Sequence, residues 1–371
     1  MIEQREPPWR RAGRALAVFD APLMAILAVL LSISVLTVYS AAYDFPGRFE
    51  GHLRNLFVAL AVMWLAASVP PRWMARAAVP LYLAGVALLV AVALFGEVNK
   101  GARRWLHVGV TRIQPSEIMK IAMPLMLAWY FARREGAIRA ADFAVAALLL
   151  AVPVGLIARQ PDLGTALLVT GAGAYVIFFA GLSWKLIGAL AVAGAAALPL
   201  AWTFLMHDYQ RQRVLTLIDP TSDPLGKGFH IIQSTIAVGS GGLWGKGWMQ
   251  GTQTHLEFIP ERTTDFIFAV FAEEFGLAGA LVLLALYLAL IARALIIAGN
   301  GPTVFTRLLA GSIAMIFFTY AFVNMGMVTG ILPVVGVPLP MMSYGGTAMV
   351  TLALGAGLLM SIQRHRRLMQ G

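Results

Sequence analysis

Ten runs of apolar residues, each 17 to 29 residues long and bounded by charges, Gly or Pro, constrain this chain more than any other feature. They lie at 21–42, 53–69, 77–95, 115–132, 142–158, 165–182, 186–206, 264–292, 306–327 and 346–363. A helix needs about 20 apolar residues to cross hydrocarbon, whereas a barrel strand alternates and needs only about 10. Helical spans follow. The chain is 59% hydrophobic and 12% charged, while soluble domains are about half apolar and a quarter charged. A soluble enzyme, a disordered chain and a disulfide scaffold are excluded. The chain has no cysteine, so thiol nucleophiles and thiolate metal sites are excluded too. The expected fold is all-α integral membrane, with about ten transmembrane helices and a large loop between the seventh and eighth.

Basic residues in short loops set the orientation. Arg5, Arg10, Arg11 and Arg14 in the first tail, Arg72 and Arg76, Arg133, Arg134 and Arg139, Lys185, Arg293 and Arg307, and Arg364, Arg366 and Arg367 all fall on one side of ten spans. That side, with both termini, is expected to be cytoplasmic. The chain then divides into a tail at 1–20, seven helices at 21–206, an outer loop at 207–263, three helices at 264–363 and a tail at 364–371. The outer side carries two further groups of cations: Lys100, Arg103, Arg104 and Arg112, with Lys120 just inside the fourth span, and Arg211, Arg213, Lys227, Lys246 and Arg262 in the long loop. Long loops cross membranes regardless of charge. Equally, outer cations can hold an anionic substrate such as a phosphate-linked lipid. The net charge of +10 points to anionic lipid rather than nucleic acid.

Four clusters could carry chemistry. Glu117 and Lys120 are three apart on one helix face and can pair, after Pro115 at the first helical position and Ser116 as a helper cap. They are either a structural ion pair or a polar cavity wall. Asp162 lies in the tight turn Arg159-Gln160-Pro161-Asp162-Leu163-Gly164, where it can bond turn amides. Asp265 follows Glu261, Arg262, Thr263 and Thr264 at the mouth of the eighth span. First-turn aspartates are common because the helix dipole favours them, and either threonine could cap the helix. A carboxylate placed there could also accept a proton from a sugar hydroxyl. Glu273 and Glu274, deeper in the same span, read as buried acids needing partners from other helices. The fourth cluster, with Gly330, Pro333, Gly336, Pro338, Pro340, Ser343, Tyr344, Gly345 and Gly346, is too rich in breakers for a continuous helix. It is either a plain loop or a re-entrant wall near 328–346. The glycines at 239–247 lack nucleotide-loop spacing, and the six histidines form no zinc motif.

These clusters, in this order and on this face, resemble the SEDS family of bacterial cell-wall polymerases. The carrying segments include Lys100-Gly101-Ala102-Arg103-Arg104-Trp105, residues 114–120, Gln160-Pro161-Asp162-Leu163-Gly164-Thr165, residues 207–213, Gly239-Ser240-Gly241-Gly242, residues 260–268 and Ser343-Tyr344-Gly345-Gly346. The run at 330–340 resembles the elongation branch of that family rather than the division branch. Where the family commonly has His-Thr-Asp, Thr263-Thr264-Asp265 stands here. The resemblance implies a peptidoglycan glycosyltransferase of the inner membrane, with its site facing the periplasm. It would polymerise lipid II, with Asp265 as general base. Glu117, Lys120, Arg103, Arg104, Asp162, Arg211, Arg213, Glu261, Arg262 and Ser343 would line the substrate cavity. It also implies a class B penicillin-binding protein as partner within the elongation (rod) complex. A divalent cation, Mg or Mn, could assist the pyrophosphate, although no ligand set is visible. Two other readings fit the spans: a lipid II flippase or transporter, and a non-catalytic scaffold for the penicillin-binding protein.

Overall fold

The apolar runs fold as helices, and most end where Pro, Gly or a capping side chain stands. The computed structural model describes residues 19–370 apart from 100–101, 109–110, 161, 207, 223–225 and 260. Arg5, Arg10, Arg11, Arg14, Lys100, Pro161 and Pro260 therefore lie outside the described residues, as do the side chains of Arg103, Arg112, Arg213 and Lys227.

The order is α1 (Ala21–Ala41), α2 (Arg48–Ser68), α3 (Pro71–Phe95), β1 (Glu97–Asn99), β2 (Ala102–Val108), β3 (Thr111–Ile113), α4 (Pro115–Ala132), α5 (Ala140–Ala158), α6 (Leu163–Phe179) and α7 (Trp184–Leu200). Then come α8 (Asp208–Ile218), α9 (Lys227–Ser240), α10 (Thr252–His255), α11 (Ile267–Gly299), α12 (Val304–Val328) and α13 (Gly346–Gln370). Among the described residues, eight helices are long and apolar enough to cross a membrane. Of the other two expected spans, α6 has only 17 residues and α4 carries Glu117 and Lys120. The count of ten thus stays an expectation.

The all-α membrane class is as expected, with one small addition. Strands β1, β2 and β3 form a short antiparallel sheet between α3 and α4, built from residues such as Trp105, Val108, Thr111 and Ile113 that favour pleated structure. In other places the structure departs from the sequence reading. Arg72 and Arg76 belong to α3, whose first residue is Pro71, and not to a loop. Helix α2 begins at Arg48. The long loop is largely helical, since α8, α9 and α10 all lie within it.

The eighth span is not one straight helix. Gly276 breaks α11 with φ 65° and ψ −164°. The freed backbone groups find partners in the long loop: Lys246 N–H donates to the Glu273 carbonyl at 3.0 Å, and Leu277 N–H donates to the Gly242 carbonyl at 2.9 Å. The glycine cluster permits that approach. A Cβ at Gly241 would lie 2.2 Å from the Ala272 carbonyl oxygen, and one at Gly245 would lie 2.1 Å from that of Glu274. Glu273 accepts from Lys246 Nζ at 2.7 Å, Gln253 N–H at 2.8 Å and Thr254 Oγ1 at 3.0 Å. Glu274 accepts from Ser40 of α1 and from Met249 N–H. Both acids are fully buried, so this net of donors keeps the loop folded onto the break.

Helix α1 is fastened to α11 at its other end too. Arg293 grips Asp20 with two bonds of 2.6 and 2.9 Å. Residues 276–299 therefore run antiparallel to α1 across the bundle, and 267–275 form an added half-helix. Elsewhere α13 packs along α2, where a Cβ on Gly357 would meet the Met63 carbonyl oxygen at 2.4 Å. Small residues at such crossings let helix backbones close up. Helix α12 is buried along most of its length, between α11, α6 and α4.

Candidate active site

The start of α11, the end of α12 and one non-helical segment meet around Asp265. The segment is the proline- and glycine-rich stretch after α12, and it is not a plain surface loop. Pro340 accepts a 2.7 Å hydrogen bond from the hydroxyl of Tyr287, a fully buried residue well inside α11. The Met342 carbonyl accepts from Ser34 of α1, whose hydroxyl also meets His52 Nε2 at 2.9 Å. Helix side chains thus supply donors to this non-helical backbone beside its own turn bonds, such as that from Ser343 N–H to the Leu339 carbonyl at 3.1 Å.

Asp265 stands in the turn ahead of α11, two residues before the helix begins. Neither threonine caps that helix, whose N-cap is Phe266. Instead, the Thr264 hydroxyl bonds the Glu261 carbonyl at 3.1 Å. Asn324 of α12 fixes the turn by donating to the carbonyl oxygens of Asp265 (2.8 Å) and Val337 (2.7 Å). Gly336, with φ +76°, lies so close that an added Cβ would be 3.2 Å from Asp265 Oδ2. Burial pushes the Asp265 carboxyl up to about 6, and the neighbouring Glu261 charge adds to the shift. A carboxylate tuned in this way is a competent proton acceptor near neutral pH.

Glu117 and Lys120 do pair, with Lys120 Nζ 2.6 Å from Glu117 Oε1. Pro115 opens α4 as expected, but Ser116 is buried and Gln114 takes the cap position without a side-chain bond. Lys120 is 4% exposed and lies over the ring of Tyr320 at 5.3 Å, while Thr351 of α13 donates to Glu117 Oε2 at 3.3 Å. Tyr320 and Asn324 are one turn apart on α12, about 6 Å along its axis. The ion pair thus sits one turn deeper than the clamp on Asp265. Asp162 caps α6 by accepting from Thr165 N–H at 3.3 Å. It also accepts from Gln114 Nε2 at 3.3 Å and faces Arg104 Nε at 3.9 Å, which ties the small sheet to α4 and α6. The segment after α12 joins these groups: a Cβ on Gly164 would lie 3.0 Å from the Val335 carbonyl oxygen, next to Gly336.

Three other expected site residues, Arg262, Ser343 and Arg211, are engaged in contacts of their own. Arg262 is buried against the α1–α2 turn, bonded to Asp44 and to the Ala41 carbonyl and stacked over the Tyr43 and Phe45 rings. Ser343 accepts from Leu339 N–H at 2.7 Å and closes a turn in the segment after α12. Arg211 bonds the Trp202 and Thr203 carbonyls, holding α8 to the end of the preceding helix. Glu261 is exposed beside Asp265. Arg103 lies in β2 and Arg213 in α8. Reading the sequence missed Asn324, Tyr320 and Arg48, whose guanidinium donates to Thr263 Oγ1 at 2.8 Å. The signal for Asn324 was an amide inside an otherwise apolar span, where polar groups need partners.

The profile of the FtsW/RodA/SpoVE family, described as cell cycle protein, matches residues 15–368. The chain is 53% identical over 350 residues to the peptidoglycan glycosyltransferase MrdB of Escherichia coli (strain K12), a match that covers 94% of this chain and 95% of that protein. Its fold is similar, with TM-score 0.82 and 36% identity, to a chain of a peptidoglycan synthase complex solved to show how polymerization and crosslinking are coordinated. That match covers 94% of this chain and 98% of the other. The rod shape determining protein RodA of Thermus thermophilus gives TM-score 0.71 and 31% identity, covering 94% of this chain and 97% of that one.

Proposed function

The chain belongs to the FtsW/RodA/SpoVE family and is a peptidoglycan glycosyltransferase, and we propose that it polymerises lipid II into glycan strands during elongation, with Asp265 as the base. The observation that carries this is the Asp265 turn, in which a carboxyl raised to about 6 is clamped through its backbone by Asn324 and overhung by Gly336. In the reaction, Asp265 takes the proton of the acceptor sugar's 4-hydroxyl. That oxygen forms a bond to the donor's anomeric carbon, whose bond to the pyrophosphate oxygen breaks, and undecaprenyl pyrophosphate leaves with the electron pair. Lys120 and Arg104 are the nearby cations suited to the charge that develops on the leaving group. Among the described residues no three His, Asp or Glu side chains could hold a metal ion.

The partner in this reading is a class B penicillin-binding protein, which cross-links the strands within the rod complex. The site faces the periplasm and both termini are cytoplasmic. The transporter and scaffold alternatives leave a tuned, clamped carboxylate at one end of the bundle without a task.

The test is polymerisation itself. The purified chain with its penicillin-binding partner, given labelled lipid II with transpeptidation blocked, should yield a glycan ladder on a gel. No ladder from a folded complex, together with lipid II flipping in vesicles, would favour the transporter. Asn324→Leu should cut the polymerisation rate about tenfold or more. It should also lower stability by about 2 kcal/mol, because two carbonyl oxygens lose their donor; thermal unfolding in detergent reads the second effect. Thr252→Cys, in a chain without other cysteines, should react with a membrane-impermeant maleimide in spheroplasts. Labelling only in inverted vesicles would reverse the orientation.

A further inference from the structure

The end of the bundle opposite Asp265 holds two adjoining cavities. One, of about 650 Å³, lies between α3, α4 and the start of α12, and is lined by Arg76, Val79, Trp129, Arg133 and Phe305. The other, of about 600 Å³, includes Arg72, Glu135, Thr303 and His365, and shares Ala75, Ala132 and Phe305 with the first. Both volumes fall within the range of about 300–1,000 Å³ typical of small-ligand sites.

Several cations at this end are already engaged. Arg134 is spent on Asp142 (3.1 Å), Arg293 on Asp20 (2.6 Å), and Arg307 on the Gly301 carbonyl (2.8 Å). Arg76 and Arg133 are exposed and have no ion pair among the described residues. Each is instead held over a tryptophan ring: Arg76 over Trp73 at 4.9 Å, and Arg133 over Trp129 at 5.0 Å. Stacking leaves the guanidinium edge and its donors free for a phosphate. Tryptophan is also the residue that marks the headgroup level of a bilayer. Apolar walls meet the two stacked arginines on one side of this cavity, so a ligand here meets charge at one end and hydrocarbon at the other.

We propose that this cavity binds the headgroup of an anionic phospholipid from the adjoining leaflet. The phosphate would lie between Arg76 and Arg133, and an acyl chain would run along Val79 and Trp129. Basic pockets between transmembrane helices take such headgroups. The second cavity, with Arg72 and His365 opposed by Glu135, adjoins the first, so the two-phosphate headgroup of diphosphatidylglycerol is the best-fitting member of the class. The proposal does not depend on the glycosyltransferase reading, because it uses none of that site's residues.

The test uses the full chain, delipidated in detergent and incubated with mixed micelles of diphosphatidylglycerol or of phosphatidylcholine. Native mass spectrometry reads the lipid retained. The wild type should retain diphosphatidylglycerol at least fivefold more than phosphatidylcholine. Arg76→Ala/Arg133→Ala should lose most of that preference, while Arg134→Ala, whose guanidinium is already paired, should keep it. Should the double variant unfold, Arg76→Glu at its exposed helix position should show the same loss. Equal retention of both lipids by the wild type would overturn the proposal, leaving only an apolar groove. So would undiminished preference in the variants, or displacement of the lipid by millimolar inorganic phosphate, which would indicate a site for free anions.

Discussion

Replacing Asp265 with Asn should abolish glycan polymerisation, with a loss of about 10³-fold, without weakening the fold. General-base catalysis contributes roughly 10²–10⁴-fold, and an amide of the same shape cannot accept the proton. The stability expectation follows from linkage. Burial, then the Glu261 charge, raise the carboxyl from 3.8 to about 6 in the folded protein. The folded state therefore favours the protonated acid. That contribution is present below about pH 4 and is lost as pH rises through about 6. At about pH 7.5 the wild type carries an unfavourable buried charge that the Asp265→Asn protein lacks. Because the side chain is only partly shielded, the gain should be at most about 2 kcal/mol. An Asp265→Asn protein that melts no lower than wild type and makes no ladder fits a catalytic carboxylate. A ladder near wild-type yield would remove Asp265 as the base, and a lower melting temperature would make it a structural residue.

The same carboxyl should set the acid limb of the pH profile. With Asp265 as the proposed base, polymerisation needs its ionised form, so the rate should fall as pH drops through about 6. Glu261 is exposed and adds to the upward shift, so Glu261→Gln should move the limb to lower pH while leaving the plateau rate nearly unchanged. A limb that stayed in place would assign it to another group.

What the sequence disclosed and what it hid divide along a physical line. Pro115 at the head of α4, the Glu117–Lys120 pair and the helix-breaking stretch after α12 were legible because each depends on residues a few positions apart. The Arg262–Asp44 pair was not legible, because the two residues lie 218 positions apart along the chain. No local pattern distinguishes a cation that waits for a ligand from one that locks two turns together. The break at Gly276 was hidden for the same reason: a glycine inside an apolar run becomes a kink only if another segment supplies donors and acceptors, and here residues 242–247 do so. Asn324 is the instructive omission. Its amide was visible in the sequence, but its task, joining the backbones of Asp265 and Val337, exists only once the segment after α12 is folded.

Lys120→Met should destabilise the protein by about 3 kcal/mol and eliminate polymerisation, but the single variant leaves the role of Lys120 undecided. Removing one member of a buried pair strands the other, at a cost of roughly 3–5 kcal/mol. Among the described residues, Glu117 would keep the Thr351 hydroxyl as its one hydrogen-bond partner, at 3.3 Å. Loss of activity could then follow from loss of structure. Glu117→Gln/Lys120→Met separates the two effects. With no charge left to strand, and with volumes nearly kept, most of the stability should return. Activity should not return, because the ammonium proposed to meet the leaving pyrophosphate would be gone. A double variant that melts like wild type and polymerises like wild type would make the pair a structural strut between α4, α12 and α13. One that melts like wild type and stays inactive would place the Lys120 ammonium in the chemistry, one helical turn below the clamp that holds the base.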